Sequence, residues 1–305
     1  MKTLQLGTSG LDVAAISLGC MRIAGMADAP VDALLRSAMD TGMNFFDHAD
    51  VYGGGQSEEV FARSAARLGL KRADMVLQSK CGIRKGQFDF SKENILNAVN
   101  GSLKRLQTDH LDVLLLHRPD TLVEPEEVAE AFSSLQTSGK VKLFGVSNQH
   151  PNQIEFLQAS LPMKLQANQL QLSITNTGMM DQGFNVNMQI NHSVDRDGGI
   201  LDYCRLKKIT IQAWSPFQYG FFEGVFLGSP KYPELNAVID TLSAQYGISP
   251  TGMAIAWILR HPAKMQAIIG TTSPERVKLV AAASQVVLSR EHWYEIYRAA
   301  GNKLP

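Results

Sequence analysis

Four side chains in this sequence have the types and placement needed to move a proton: Asp47, Tyr52, Lys80 and His117. A phenol with an ordinary pKa near 10 is a poor acid at neutral pH, but a neighbouring ammonium stabilises the phenolate, and each unit of lowering corresponds to about 1.4 kcal/mol. Lys80 is the candidate ammonium, Asp47 the carboxylate that keeps it protonated in a desolvated site, and His117 the group that orients or polarises a carbonyl. Taken singly, each has a plainer use: a turn aspartate, a loop tyrosine, a solvated strand-end lysine, a hydrogen-bonded core histidine. Their shared position argues against four coincidences. Each stands at or just past the end of a short apolar run: residues 44–55 read NFFDHADVYGGG, MVLQSK ends at Lys80, and LDVLLLHRPD carries His117. In a parallel α/β protein such ends share one face, and ligands bind there.

The elements that must position these groups follow from periodicity. The opening TLQLGTSGLDV alternates about a Gly-Thr-Ser-Gly turn, which predicts a hairpin. Eight short apolar strands come next: AAISLG, MNFFDH, DMVLQSK, LDVLLLH, VKLFGVS, KLQANQLQLS, ITIQAW and AIIG. Helical stretches separate them. Val31, Leu34, Leu35 and Ala38 lie at helical spacing in 30–39; Ser57 is placed to cap 57–68; Ser91 precedes the stripe Ile95, Val99, Leu103 and Leu106. Pro125 and Pro151 suit first helical turns, further helices are expected near 200–208, 234–246, 249–260 and 273–282, and one near 290–299 is left over. The pattern predicts a (β/α)8 TIM barrel with an N-terminal β-hairpin and an extra C-terminal helix, a single domain over residues 1–305, rather than a doubly wound sheet. Two connections show no clear period. Residues 174–198 are polar with Met179, Met180 and Met188, expected in a loop or pocket wall, and 215–233 carry Phe217, Tyr219, Phe221, Phe222, Phe226 and Tyr232. Both follow strands, so both are expected on the active face, where with Met21 and the loop after Lys80, including Phe88, they would build the substrate pocket.

Composition narrows the function classes. With 29 basic and 29 acidic residues the chain is neutral, which argues against nucleic acid or an anionic membrane as partner. The N-terminus lacks an apolar signal core and no run approaches the roughly 18 apolar residues of a spanning helix, so a cytoplasmic location is expected. Cys20, Cys81 and Cys204 are odd in number and lack paired ligand spacing, as buried reduced thiols would be. His48, Asp47 and His117 have no metal-ligand spacing, and no metal is expected. Gly53–Gly55 does not extend to a dinucleotide fingerprint and reads as a turn beside Tyr52; there is no P-loop and no G-x-S-x-G.

A second site can be read near the other end. In GTTSPERV, Ser273 as N-cap and Pro274 at the first helical position leave free amides that attract an anion. Thr271, Thr272 and Arg276 add hydroxyl and guanidinium donors suited to phosphate.

The segments NFFDHADVYGGGQSE, QSK, LDVLLLHRPD, GVSNQ, ANQ and IIGTTSPERV, in this order across nearly the whole chain, resemble the aldo-keto reductase superfamily, in its bacterial NADP-dependent oxidoreductase branch. That resemblance implies an NADPH-dependent reduction of an aldehyde or ketone to an alcohol. Tyr52 would be the general acid, tuned by Lys80 and Asp47, with His117 positioning the carbonyl and hydride coming from nicotinamide C4. It also implies that Ser147, Asn148 and Gln169 hold the carboxamide, whose edge needs both donors and acceptors. Trp214 would stack on the nicotinamide, Ser215 and Phe217 would line the pyrophosphate path, and Gly270, Thr271, Thr272, Ser273 and Arg276 would surround the 2′-phosphate. Many relatives carry a basic residue where Gly270 stands and an acidic-amide pair near Leu279 and Val280; this chain departs from both patterns. A rival from another class is an NADP(H)-binding regulatory subunit associated with membrane channels and having little turnover. The intact tetrad favours the enzyme. The implied partner is a small-molecule carbonyl substrate, whose identity, like the oligomeric state, is not legible in the sequence.

Overall fold

Alternation of side chains along each strand decides what this chain buries and where. A computed structural model describes residues 1–304. The hairpin forms as expected, with Thr3–Gln5 pairing antiparallel to Asp12–Ala14. Eight parallel strands then close into a barrel: β1 Ile16–Gly19, β2 Phe45–Asp47, β3 Val76–Cys81, β4 Leu111–Leu116, β5 Val141–Ser147, β6 Leu165–Gln171, β7 Thr210–Trp214 and β8 Gln266–Ile269. They pair in chain order, and β8 returns to β1. The register brings Asp47 level with Gln78, Ser147 with Gln169, and Gln171 with Trp214.

Two apolar clusters result. Outward side chains such as Phe46, Leu77, Leu114 and Leu116 pack with the helices into the larger one. Inward residues Phe45, Val76, Val113, Leu115 and Ala167 form a smaller one inside the barrel, closed below by Leu4, Leu6 and Val13 of the hairpin. A period of two carries the same faces upward, so Asp47 follows Phe45, Lys80 follows Val76 and Gln78, and His117 follows Val113 and Leu115.

Eleven α-helices occur among the described residues: α1 Asp28–Asp40, α2 Gln56–Arg67, α3 Lys92–Leu106, α4 Pro125–Thr137, α5 Pro151–Ser160, α6 Gly178–Phe184, α7 Ile200–Lys207, α8 Pro233–Tyr246, α9 Pro250–Leu259, α10 Pro274–Ala283 and α11 Arg290–Ala299. Local chemistry sets several starts. Ser91, Ser249, Ser273 and Ser289 accept backbone N–H groups at the heads of α3, α9, α10 and α11, and proline opens α4, α5, α8, α9 and α10. Ser57 does not cap α2: the helix begins one residue earlier behind Gly55, and the Ser57 hydroxyl donates to Cys20 O at 2.5 Å, tying α2 to the segment after β1. The stretch 174–198 is not structureless either. α6 buries Met179 and Met180 in the core, and Asp181 on that helix accepts the Tyr297 hydroxyl of α11 at 2.6 Å. No described helix is long and apolar enough to cross a membrane.

Candidate active site

Gly53, Gly54 and Gly55, with φ of 59°, 64° and 95°, turn the chain after β2 so that Tyr52 projects over the barrel mouth. A Cβ at Gly53 would lie 2.5 Å from the Ala24 Cβ, so the turn also needs the space. Beneath Tyr52 lies Lys80, fully buried on β3. Its ammonium spends its three donors on Asp47 Oδ2 at 2.8 Å, His48 O at 2.8 Å and Tyr52 Oη at 3.0 Å. Asp47 Oδ1 in turn accepts from Gln78 Nε2 at 2.6 Å and Gln169 Nε2 at 3.1 Å. The carboxylate is therefore held at both oxygens.

Charges in this group follow from burial and partners. Burial works against the Lys80 charge, yet Asp47 and Tyr52 outweigh it and hold its pKa above the ordinary lysine value. For Tyr52 burial is the larger effect; it raises the phenol above its usual 10 although Lys80 pulls the other way. The expected lowering by the Lys80 ammonium is thus outweighed by burial, and the net shift is upward. At neutral pH the group is thus a protonated phenol resting on a charged lysine. His117, edge-on to the Tyr52 ring with centroids 5.8 Å apart, is held well below the usual imidazole range by burial and then by the Lys80 and Arg118 charges. It is neutral there. Its Nδ1 is buried without a hydrogen-bond partner.

A cleft of about 720 Å³ opens above this centre. Asp47, Tyr52, His117, Ser147, Asn148, Gln169, Trp214, Ser215, Phe217, Gly270, Thr271 and Arg276 all line it, while Lys80 sits behind Tyr52. Thr272 is exposed and outside the lining, and Ser273 is engaged as the α10 cap. Asn148, at φ 56°, donates to Ser147 Oγ at 2.7 Å and accepts Trp214 Nε1 at 3.2 Å. Trp214 is also stacked by Phe222, with centroids 5.8 Å apart. Met21 lines the cleft as expected; Phe88 does not, because it lies in a short exposed hairpin, Ile83–Arg84 with Gln87–Phe88, and Ile83 takes that place in the wall. None of Met179, Met180 and Met188 reaches it.

Lining residues that the sequence reading missed include Arg22, Arg118, Gln218, Leu227 and Thr251. Arg118 carried a usable signal, standing directly after His117, whereas Thr251 comes from α9 through folding alone. Cys20 and Cys81 are buried free thiols pushed well above their ordinary pKa by burial, as inert thiols would be.

Fold and centre together define a (β/α)8 enzyme with a buried carboxylate, ammonium and phenol relay opening into a ligand cleft. The chain belongs to the aldo/keto reductase family, whose model matches residues 15–300, and it is an oxidoreductase. It is 32% identical to a 6-dehydroglucose reductase of Agrobacterium fabrum across 96% of both chains. It is 33% identical to the oxidoreductase YdhF of Escherichia coli, across 88% of this chain and 86% of the relative. Among solved structures, an aldo/keto reductase from Klebsiella pneumoniae in complex with NADP and acetate superposes with a TM-score of 0.79 at 28% identity, covering 97% of this chain and 94% of that one.

Proposed function

We propose that the protein reduces an aldehyde or ketone to the alcohol with NADPH, and that Tyr52 is the general acid. The observation that carries this reading is the 3.0 Å contact between Tyr52 Oη and the buried Lys80 ammonium, at the floor of the cleft and beside a neutral imidazole. NADPH, when bound, supplies hydride from C4 of its nicotinamide. Everything else falls to the chain. Tyr52 donates its proton to the carbonyl oxygen as negative charge grows there, and Lys80 stabilises the phenolate left behind, itself kept charged by Asp47. With Nδ1 closed off in the interior, the neutral His117 carries its proton on Nε2 and donates it to the same oxygen, fixing the carbonyl's direction.

The cleft suits that cofactor. Gln169 spends its amide N–H groups on Asp47 and Gln212, leaving Oε1 to accept from a carboxamide, and Asn148 and Ser147 flank it. Trp214 offers an aromatic surface beside them. Thr271 and Arg276, at the capped head of α10, supply donors for a phosphate. An NADPH-consumption assay over a panel of aldehydes and ketones, including the 6-dehydroglucose named for the relative, tests the reading. Turnover is expected with at least one. Tight NADPH binding with no turnover across the panel would favour a regulatory binding subunit instead. Tyr52→Phe should lower kcat/KM by about 10²–10⁴-fold while leaving NADPH affinity within a few-fold; substantial residual reduction would remove Tyr52 as the acid.

A further inference from the structure

Three arginines line the cleft, and two have evident work on one side of it. Arg276 stands at the head of α10, after β8, and Arg22 donates to Gly270 O at 3.2 Å, also at the end of β8. Arg118 follows His117 at the end of β4, which is four strands round the closed barrel from β8. It is half-buried, and among the described residues it makes neither an ion pair nor a hydrogen bond. The acids that could neutralise it are occupied. Asp120, two residues on, accepts Phe90 N and Leu122 N, each at 2.9 Å. Asp47, the one carboxylate lining the cleft among the described residues, is paired with Lys80.

What holds Arg118 is aromatic. Its guanidinium carbon lies 5.9 Å from the Trp214 ring centre and 6.0 Å from that of Phe221, within cation–π range. Contacts of that kind fix the planar head while leaving its edge donors unspent, and the guanidinium edge matches a carboxylate with two parallel hydrogen bonds. A partly desolvated cation without a counter-charge, in a wall that also contains Ile83, Val225 and Leu227, is unfavourable until an anion arrives. Phosphate groups held near Arg276 would lie across the mouth from it. We infer that Arg118 determines specificity by receiving the carboxylate of a short keto or aldehydo acid whose carbonyl lies between Tyr52 and His117. This assignment rests on the carbonyl-reductase reading above and names its substrate class.

The test is a set of matched pairs: 2-, 3- and 4-carboxybenzaldehyde against their methyl esters, reduced with NADPH by the wild type, Arg118→Leu and Arg118→Lys. Aromatic aldehydes suit a wall containing Trp214 and Phe222. The wild type should prefer at least one acid over its ester by about tenfold or more in kcat/KM, mainly through KM. Arg118→Leu should abolish that preference and Arg118→Lys should keep part of it. Equal or better turnover of every ester by the wild type would overturn the carboxylate assignment while leaving carbonyl reduction standing. A preference that survives in Arg118→Leu would move the carboxylate to another residue. Should Arg118→Leu not fold, the wild type alone decides: kcat/KM for the preferred acid must fall with ionic strength more steeply than for its ester, and parallel salt responses would sink the idea. Failure to reduce any aldehyde or ketone, with NADPH still bound, would remove the parent reading and this one together.

Discussion

At the scale of single residues, the segment between β2 and Tyr52 places a carboxylic acid where it does not ionise easily. Burial first, and the nearby Glu58 charge second, push Asp50 up to about 7, and its Oδ1 is buried without a hydrogen-bond partner. The sign is that of a raised acid: the folded state holds a proton that the unfolded chain, with an aspartate near 3.9, gives up. The stability linked to Asp50 is therefore fully present below about pH 4 and is lost as pH rises through 7. Asp50→Asn removes the titration. Its melting temperature relative to wild type should climb between pH 4 and 7 and level off above, as measured by thermal melts in a pH series; a difference independent of pH would show that Asp50 is ionised in the fold. Tyr52 obeys a different rule because its protonated form is the working one. With the phenol held above 10 by burial and His117 neutral, reduction should be flat from about pH 6 to 9 and fall only at higher pH. A fall beginning near pH 7 would mean that an imidazolium or another acid donates the proton.

At the scale of elements, strands were the legible part of the sequence and their inward polar faces were not. Leu111–Leu116, apolar at all positions but Asp112, reads as a strand, as does the shorter apolar opening of Val76–Cys81, and proline or serine marks the heads of α3, α4, α5 and α10. The tetrad was legible because its members stand at strand ends. Gln78, Gln212 and Gln266 gave no such signal, since a glutamine in an alternating strand looks like a solvent-facing residue, and Gln169 was legible only as a cofactor contact, not as a partner of Asp47. In the fold they form a buried amide chain: Gln212 donates to Gln78 at 3.0 Å and to Gln266 at 2.8 Å, and Gln78 and Gln169 reach Asp47. Their polarity is satisfied laterally, strand to strand, which spacing along one strand cannot reveal. α6 was missed for another reason: seven residues with a glycine at its start and another inside it carry too few turns to establish a period. The α10 head, by contrast, was readable and gives a prediction of its own. Arg276→Ala should weaken NADPH by about tenfold or more while changing NADH little, because only the former carries the 2′-phosphate that a guanidinium would hold. Titration of both nucleotides by protein fluorescence checks it, and equal losses would place the phosphate elsewhere.

At the scale of the whole molecule, the barrel separates what stabilises it from what it does. The upper interior is polar and carries the Asp47–Lys80–Tyr52 relay, while the lower interior is an apolar plug of Phe45, Val76, Val113, Leu115 and Ala167 sealed by the N-terminal hairpin. The hairpin is pinned by polar contacts as well as by its leucines: Gly7 N donates to Thr210 Oγ1 at 2.8 Å and Thr8 N to Gln166 Oε1 at 2.7 Å, at the starts of β7 and β6. Leu6 is fully buried in that plug. Leu6→Ala leaves a cavity that the closed barrel cannot collapse to fill, which typically costs about 3–4 kcal/mol. The Tm should drop by several degrees, read by calorimetry or by circular dichroism melts. Because Leu6 lies at the end of the barrel opposite the cleft, kcat/KM at temperatures well below the melt should stay within about twofold of wild type. A large loss of turnover with an unchanged Tm would mean that the lower plug sets the geometry of Asp47 and Lys80 through the glutamine chain, and the separation between the two ends would not hold.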